Sequence, residues 1–492
     1  MSATEDPIFD VLIVGAGLSG LCAAKRIQDK CCSQMSFKLL EKSPTTVGGQ
    51  LDGCQSRWIT SNHFHAIELC RELGCEMCEL AQMTESSQGG VEARALRDVD
   101  PWQGMIFGPL AKIETDRLMT EIDSLSSTRF IIDDPLNMDV FLERKLLLDE
   151  SKDFFRFLIK ISCGFHPNEL SVTDWFKFCR SMSSVRNVYE ILKVNGTHMV
   201  PLEGWASLVG KLVQVVGEEN IVLGCKVTRL ELSAEEENSF VLVTDENGCI
   251  WKGRAVICAI PCDDLRRIDF APSRPTFFRQ PNSNANITHV SNFKVYYESS
   301  IWKDHVFSGS IFLPAYRILC FERRTGLLEG SFFHMENVTE HEARHAILHI
   351  LSLTLKCHSL LNAVKFEAER QALPFYFEVP PSFNRRVIFA SSNASCWYRG
   401  FINGSVQGGV KAAVLALLEV RPQTINFKDV TDMQCIHFKY FQRSSGLERF
   451  WYSLNLSSVS RFVAVAATVA ATFSMLIGFT KNVAGINEFE TE

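Results

Sequence analysis

The sequence predicts an α/β fold in which a Rossmann-type dinucleotide-binding unit opens the chain. The first observation is an apolar strand pattern from Asp10 to Val14, followed by the spacing Gly-x-Gly-x-x-Gly from Gly15 to Gly20 and an alanine-rich helix pattern. The second is a further strand pattern that ends in Glu41. The third is the alternation of later strand and helix patterns along the chain, which favours a sheet covered by helices.

The glycine turn has the chemistry of a pyrophosphate site. Gly15 permits a backbone conformation that a β-carbon forbids, Gly17 lets a pyrophosphate approach the main chain, and Gly20 lets the helix pack closely on the strand. The first turn of the helix supplies free N–H groups and a positive dipole end. The predicted cofactor-binding residues of this turn are Gly15, Ala16, Gly17, Leu18, Ser19 and Gly20.

Glu41 stands at the end of the second strand, 21 residues after Gly20. A carboxylate at this point accepts hydrogen bonds from the hydroxyl groups of an adenosine ribose, and it disfavours a ribose that carries a phosphate. The pattern therefore predicts FAD or NAD rather than NADP. The alternative is a glycine turn that binds no ligand.

Composition limits the classes of protein to which the chain can belong. The chain has 492 residues, 46% of them hydrophobic, which predicts two packed domains. A net charge of −7 argues against nucleic acid as the main partner. The seventeen cysteines form neither a zinc pattern nor a disulfide framework, so no metal site is predicted. With no secretory signal pattern at the N-terminus, we expect a reducing, cytosolic environment for the bulk of the chain.

An uncharged segment near the C-terminus predicts a membrane tail. The nineteen residues from Phe462 to Thr480 lie between Arg461 and Lys481. As a helix they would span about 28 Å, close to the thickness of a bilayer core. A buried core helix is the alternative. We expect a single-pass tail anchor that leaves the bulk of the chain in the cytosol, on the mitochondrial outer membrane or the endoplasmic reticulum.

Four landmarks in order resemble the flavin-containing amine oxidases, in particular the monoamine oxidases. They are the glycine turn with Glu41-Lys42, the segment Val47-Gly48-Gly49, the stretch from Asn195-Gly196 through Gly204 to Ala259-Ile260-Pro261, and the stretch from Phe389-Ala390 to Gly409. The resemblance covers nearly the whole chain. It implies an FAD-binding Rossmann-type domain, an interleaved α+β substrate and cap domain, and a C-terminal transmembrane helix.

The resemblance divides the chain into segments. They are a first FAD-binding segment (1–81), a mostly helical cap and substrate segment (82–200), a returning FAD-binding segment (201–275), a substrate-domain sheet and helix (276–384), a last FAD-binding segment (385–422), a linker (423–460) and the transmembrane helix (461–481). Within them we expect helices from about Lys112 to Lys193, a return to strand and turn at 191–196, and a helix that begins after Gly409.

The resemblance also implies an activity and a set of site residues. The activity is oxidation of a small amine or apolar donor by hydride transfer to flavin N5, with O₂ reoxidising the flavin. Aromatic rings meet the amine in this family, and Phe401 and Tyr398 are the candidates here. Beyond the turn and Glu41, the implied cofactor contacts are Lys42, Gly48, Gly49, Val227, Asn393 and Val406.

Several departures from the family pattern weaken the flavin half of the site. Gln50 replaces an arginine, Asn393 and Asn403 replace acids, and the cysteine motif for covalent flavin has no counterpart, so non-covalent FAD is expected. The family's lysine near the flavin matches Asn292, and Lys294 on the same strand face is the substitute candidate. Two alternatives stay open: a degenerate flavoprotein that acts as a membrane-tethered interaction protein, and another FAD-dependent dehydrogenation such as lipid desaturation.

Overall fold

The computed structural model describes residues 7–31, 34–51, 58–79, 96–101, 107–126, 136–192, 198–233, 240–272, 275, 289–334, 338–372 and 382–434. Its helices are α1 (Leu18–Cys31), α2 (Phe64–Glu72), α3 (Pro109–Ser126), α4 (Met138–Lys145), α5 (Asp149–Cys163), α6 (Val172–Ser181), α7 (Val185–Leu192), α8 (Trp205–Val216), α9 (Cys262–Leu265), α10 (Glu340–Thr354), α11 (Ile402–Val420) and α12 (Phe427–Gln434).

Its strands fall into three sheets. They are β1 (Ile8–Val14), β2 (Phe37–Leu40), β3 (Ile59–Thr60), β4 (Met77–Glu79), β5 (Arg97–Val99), β6 (His198–Pro201), β7 (Ile221–Val222), β8 (Val227–Leu232), β9 (Val241–Asp245), β10 (Ile250–Cys258), β11 (Asp269–Ala271), β12 (His289–Tyr296), β13 (Phe307–Leu313), β14 (Ile318–Arg324), β15 (Leu327–His334), β16 (Lys365–Ala372), β17 (Ser382–Phe383) and β18 (Val387–Phe389).

The largest sheet carries the glycine turn and confirms the predicted α/β class. Its order is β11-β8-β9-β10-β1-β2-β7, and β18 pairs with β10. Strands β1, β2, β10 and β18 run parallel, with Val14 opposite both Leu40 and Cys258, and Cys258 opposite Phe389. The four strands therefore end at one edge, where a ligand binds in sheets of this type. Helices α1, α8 and α11 pack one face of this sheet into a shared apolar core.

The second sheet separates two other layers. Its order is β16-β12-β15-β14-β13-β5. Helix α10 covers one face through Ile347 and Leu351, whereas Phe312 and Phe333 on the opposite face join the core of helices α3 to α7. The residue pattern predicts strands at 293–297 and 308–313 and a helix at 341–355. The second strand and the helix are confirmed within one residue, whereas β12 begins four residues earlier than predicted, at His289.

The cap is helical up to Leu192, which agrees with the helices predicted to about Lys193 and contradicts the overlapping strand predicted from 191. Residues 191 and 192, predicted as strand, belong to α7. Val185, Val188, Tyr189 and Ile191 are the buried residues of this helix, and their spacing fits a helical rather than a strand period. The helical repeat therefore overrides the β-branched side chains here. The landmark at 195–196 lies outside the described residues.

The last helix of the cofactor domain begins earlier than predicted, at Ile402 rather than after Gly409. Its glycines lie inside the helix because they permit close packing. A β-carbon on Gly409 would meet the Ser19 carbonyl oxygen at 2.3 Å, and one on Gly408 would meet the carbonyl oxygens of Ala390 and Ser391 at 2.9 Å. Helix α11 thus lies directly against α1 and the end of β18.

The predicted membrane segment at 461–481 and residues 435–460 of the predicted linker lie outside the described residues, whereas the described start of that linker contains helix α12 (Phe427–Gln434). Of the helices within the described part of the chain, none combines the length and the apolar character needed to span a bilayer. The segment boundaries drawn from the sequence stay predictions, as does the anchor.

Candidate functional site

The glycine turn is held by backbone contacts that leave no room for side chains at two positions. Gly15 has φ +100°, and a β-carbon there would lie 2.8 Å from Ile260 Cγ2 and 2.9 Å from the Ala259 carbonyl oxygen. A β-carbon on Gly20 would lie 2.0 Å from the Gly15 carbonyl oxygen. Gly17 differs, because its β-carbon would meet nothing nearer than Gly49 Cα at 3.9 Å. The turn is packed on its protein side and open at Gly17.

A second glycine pair lines the open side of the turn. Gly48 and Gly49 have φ +103° and +57°, and Gly48 forms a parallel bridge with Gly17. The Gly48 N–H donates to the Ala16 carbonyl oxygen at 2.9 Å. The main chain of the turn from Gly15 to Gly20 and that of Gly48 and Gly49 therefore form one surface, which we call the cradle. A pyrophosphate requires main chain that it can approach closely in this way.

Glu41 lies buried beside this cradle. Its Oε2 accepts from the Ala16 N–H at 2.7 Å and its Oε1 from the Ser43 N–H at 2.9 Å. The carboxylate is thus fixed in orientation at the end of β2, next to the turn. Each carboxylate oxygen has a second lone pair, so these bonds leave capacity for ribose hydroxyl groups.

Val227 and Lys42 flank Glu41. The Cys225 N–H donates to the Glu41 carbonyl oxygen at 2.8 Å, which brings the start of β8 and Val227 beside it. Lys42 is exposed and forms an ion pair with Asp264 at 2.9 Å. Lys42 therefore ties β2 to α9, a structural contact that the sequence does not predict.

Asn393 and Val406 lie on the other side of the sheet edge, after β18. Asn393 is 7% exposed, its Nδ2 lies 3.3 Å from Cys262 Sγ, and its Oδ1 has no hydrogen-bond partner among the described residues. The Ser391 hydroxyl, also buried, is likewise without a partner there. Val406 packs within α11 in the core shared with α1. The two unpartnered oxygens make this edge polar and unsatisfied.

These features fit a dinucleotide cofactor. The open space at Gly17 accommodates a pyrophosphate, Glu41 is oriented toward the same edge, and the Asn393 and Ser391 oxygens provide buried polar contacts still to be satisfied. We conclude that the residues present suit the group that the glycine spacing implies.

The predicted pocket residues Tyr398 and Phe401 meet a residue that the sequence did not predict. The ring of His63 lies edge-on to Tyr398, with centroids 4.6 Å apart, and 6.0 Å from Phe401. Tyr398 is 1% exposed, has φ +53°, and accepts a hydrogen bond on its hydroxyl from Asn187 Nδ2 at 3.1 Å. Its position is therefore fixed by the cap helix α7 as well as by its own segment.

Trp58 belongs to the same group of neighbouring rings. Its indole N–H donates to the Ile191 carbonyl oxygen at 3.2 Å, and its ring lies 4.9 Å from Phe321 and 5.1 Å from His198. Segments from the first sheet domain, the cap, the second sheet and the last cofactor segment therefore meet here. We call this region, with Trp58, His63, His198, Tyr398 and Phe401 as its rings, the aromatic junction.

Two buried histidines of the aromatic junction are uncharged. Burial lowers the pKa of His63 to about 3, and the nearby His198 lowers it further. Burial also lowers the pKa of His198 to about 4, although the carbonyl groups of Glu190 and Ile191 at the end of α7 oppose this shift. No local sequence pattern marks the pair, because 135 residues separate them.

Lys294 lies on the face of β12 opposite the α10 core. Its Nζ is 3.3 Å from Glu329 Oε1, and the lysine side chain is 42% exposed while Glu329 is 7% exposed. Asn292, on the same face, accepts on Oδ1 from the Ser331 hydroxyl at 2.7 Å. The catalytic role predicted for Lys294 remains a prediction, and the structure adds Glu329 as the partner that orients its ammonium group.

Together the parallel strands of the largest sheet, the cradle and the open side of the turn at Gly17 define a fold of the dinucleotide-binding class. Residues 18–325 match the model of the family described as flavin containing amine oxidoreductase. Because this match covers more than half of the chain, the protein belongs to that family. It is an FAD-dependent oxidoreductase of the amine oxidase type.

Individual relatives agree at low identity. The flavin-containing amine oxidase of Danio rerio is 20% identical over 82% of this chain and 85% of its own length. Flavin-containing amine oxidase A of Bos taurus is 19% identical over 96% of this chain and 97% of its own length. Cyclohexylamine oxidase from Brevibacterium oxydans superposes with a TM-score of 0.64, at 19% identity, over 83% of this chain and 99% of the other.

A further structural neighbour is putrescine oxidase bound to putrescine, with a TM-score of 0.65 at 19% identity, over 83% of this chain and 98% of the other. At this identity the structural matches establish the fold alone. Glu41 is compatible with either FAD or NAD, and the match to a flavin-containing family selects FAD.

Proposed function

We propose that the protein oxidises a small primary or secondary amine at the aromatic junction. The overall reaction converts R–CH₂–NH₂ and O₂ into R–CH=NH and H₂O₂, and water then hydrolyses the imine to an aldehyde and ammonia. The observation that carries the proposal is the aromatic junction, where rings from three segments of the chain, at 58–63, at 198 and at 398–401, have centroids 4.6 to 6.0 Å apart. Ring faces favour an amine that has lost part of its water shell.

The chain's own residues would bind and orient the reactants. The backbone of the cradle at Gly17 and Gly49 would hold the pyrophosphate, Glu41 the ribose, and the main chain at Val227 the adenine. Asn393 would contact the flavin half. FAD, when bound, supplies the two-electron acceptor. The rings of Tyr398 and Phe401 would exclude water from the amine, since closed apolar walls strengthen every polar contact inside.

The test is an absorption spectrum of the purified protein under anaerobic conditions. We expect a flavin spectrum that bleaches when benzylamine, cyclohexylamine or putrescine is added, and peroxide formation when air is admitted. A folded, colourless protein that cannot be reconstituted with FAD would overturn the proposal. A yellow protein that no amine bleaches would favour a non-catalytic role, and a desaturated lipid product would favour the other dehydrogenation.

Lys294 is proposed to take part in this reaction through its side-chain ammonium group. Its ion pair with Glu329 holds that group on the sheet face that the cap covers. We expect Lys294→Met to slow anaerobic bleaching at least tenfold while FAD stays bound. The control is Lys365→Met, which removes an exposed lysine from the neighbouring strand β16. Equal rates for both variants would exclude the role.

FAD is proposed to be bound without a covalent link, because the family's cysteine motif has no counterpart in this sequence. Acid precipitation of the yellow protein should therefore release the flavin into the supernatant. Flavin that stays with the pellet would contradict this.

The segment 461–481 is proposed as a tail anchor with the enzyme on the cytosolic face of the mitochondrial outer membrane or the endoplasmic reticulum. Alkaline carbonate should leave the full chain in membranes and release a chain that ends at residue 460. Fractionation of the two membranes then identifies the target.

A further inference from the structure

Three buried side chains of the aromatic junction have polar atoms that no described residue satisfies. They are the Thr60 hydroxyl, Nε2 of His63, and the ring nitrogens of His198, which make no hydrogen bond of good geometry although the carbonyl groups of Glu190 and Ile191 lie near that ring. The relative exposures of the three residues are 5%, 0% and 0%. Because nine-tenths or more of buried polar groups in proteins are hydrogen-bonded, three such residues in one place indicate a missing partner.

The three residues are adjacent in the fold. Thr60 and His198 lie opposite each other on the antiparallel strands β3 and β6, so their side chains share a face of the small sheet. His63 is joined to Thr60 by its Nδ1, which accepts from the Thr60 N–H at 3.2 Å. Because Nδ1 accepts this bond, the proton of the neutral His63 ring lies on Nε2, and Nε2–H is a donor without a partner among the described residues. The ring of His63 lies against Tyr398 and Phe401, which are the rings of the proposed amine site.

The missing partner is a molecule that both accepts and donates hydrogen bonds, as an uncharged amine nitrogen does. His63 Nε2–H needs an acceptor, whereas the Thr60 hydroxyl and the unprotonated nitrogen of His198 can accept. Two neutral imidazoles and a hydroxyl group offer acceptor and donor atoms without charge, and their burial disfavours a further positive charge on either ring. A ligand with an N–H group satisfies such a site, whereas a purely apolar ligand leaves its polar atoms unpaired. Leaving a buried polar atom unpaired is unfavourable, which favours the N–H ligand over the apolar one.

We propose that Thr60, His63 and His198 form a polar subsite that binds the N–H group of the substrate amine. The inference rests on the proposed function and deepens it, because it assigns the nitrogen of the substrate to side chains of β3, β6 and the start of α2. The rings of Trp58, Tyr398 and Phe401 then bind the apolar part. The subsite distinguishes amines from lipid acyl chains, which have no such donor.

The test compares aniline with toluene, two uncharged ligands of the same shape of which only aniline donates N–H. Calorimetry on the purified holoprotein near neutral pH gives both dissociation constants. We expect the preference for aniline to fall about tenfold in His198→Phe and in Thr60→Val, which keep the side-chain volume and remove the polar atoms. His63→Asn keeps an acceptor for the Thr60 N–H and removes Nε2, and should have the same effect.

The control variant is His349→Phe, which changes an exposed histidine on α10. An unchanged preference in all three pocket variants, an equal change in the control, or no binding of either ligand would overturn the subsite. Variants that weaken FAD binding but leave the preference for aniline over toluene unchanged would identify the flavin, rather than the substrate, as the partner of these side chains. That result would also overturn the subsite. Failure of the proposed function is read separately, from the absence of flavin or of anaerobic bleaching by amines.

Discussion

The cradle and the aromatic junction differ in what holds them together. In the cradle the main chain makes the contacts: Gly20 lies against the Gly15 carbonyl, and the Ala16 N–H and carbonyl group are both hydrogen-bonded. In the aromatic junction side chains make the contacts, and the polar atoms of Thr60, His63 and His198 are left without partners. The contacts of the cradle are therefore made within the chain, whereas the aromatic junction keeps buried polar atoms that no described residue satisfies.

The difference indicates separate roles for the two regions, cofactor binding at the cradle and ligand binding at the aromatic junction. A preformed main-chain cradle binds the cofactor without reorganisation, because its hydrogen bonds already fix Gly48 and Glu41. In the aromatic junction, buried polar atoms without hydrogen-bond partners lower the stability of the protein. A ligand that pairs with them would offset this loss of free energy on binding. Changes to the cradle should therefore affect stability or cofactor affinity, and changes to the aromatic junction should affect ligand choice and acid stability.

The largest effect is expected from Gly20→Ala. Its β-carbon would lie 2.0 Å from the Gly15 carbonyl oxygen, so α1 must move away from the turn. We expect a loss of about 3 kcal/mol in the free energy of unfolding, measured by urea denaturation. The control is Gly210→Ala in α8, whose β-carbon meets nothing within 4 Å and which should gain about 0.5 to 1 kcal/mol. Equal stabilities of the two variants would contradict the packing argument.

The cradle was predictable from the sequence because its determinants are local. The strand, the glycine spacing and the helix occupy adjacent residues from Ile8 to Cys31, and each glycine has its effect through its own missing side chain. Glu41 follows from the next strand in the same way. The helical cap and the second sheet were also predictable, since residue periodicity records which faces are buried.

The aromatic junction was not predictable, because its residues come together only through tertiary packing. Tyr398 was predicted by family resemblance, but its partner Asn187 lies 211 residues earlier in the chain. His63 and His198 match no spacing rule, and their neutral state depends on burial that the sequence does not record. The wrong start of α11 has a related cause: glycines normally disfavour helix, and here close packing on Ser19 requires them.

The second effect is loss of stability in acid, to which the two histidines of the aromatic junction contribute; His166, whose pKa burial also lowers to about 4, contributes outside the junction. The pKa values of His63 and His198 are lowered to about 3 and about 4 from an unfolded value of 6.5, so the unfolded chain binds more protons below pH 6.5. Stability is therefore full above pH 6.5 and falls as the pH approaches the folded values. His63 and His198 should each cost about 2 kcal/mol at pH 5 relative to pH 8.

The measurement is the free energy of unfolding in urea at pH 8 and pH 5. His198→Phe should remove about 2 kcal/mol of the acid loss, because Phe has no proton to bind, while His349→Phe should leave it unchanged. An acid loss of the same size in His198→Phe and in the wild-type protein would assign it to other groups and remove the contrast with the cradle.

Gly17→Ala gives the smallest expected effect and separates binding from folding within the cradle itself. The backbone of Gly17 is outside the left-handed region, and an added β-carbon would meet only Gly49 Cα, at 3.9 Å. The apoprotein should therefore keep its stability within about 0.5 kcal/mol. The methyl group enters the space proposed for the pyrophosphate, so the dissociation constant for FAD, measured by flavin fluorescence, should rise about tenfold, or about 1.4 kcal/mol. Gly210→Ala should leave FAD affinity unchanged. If Gly17→Ala binds FAD as tightly as the wild-type protein, the pyrophosphate lies elsewhere, and close packing becomes the remaining reason for glycines in this turn.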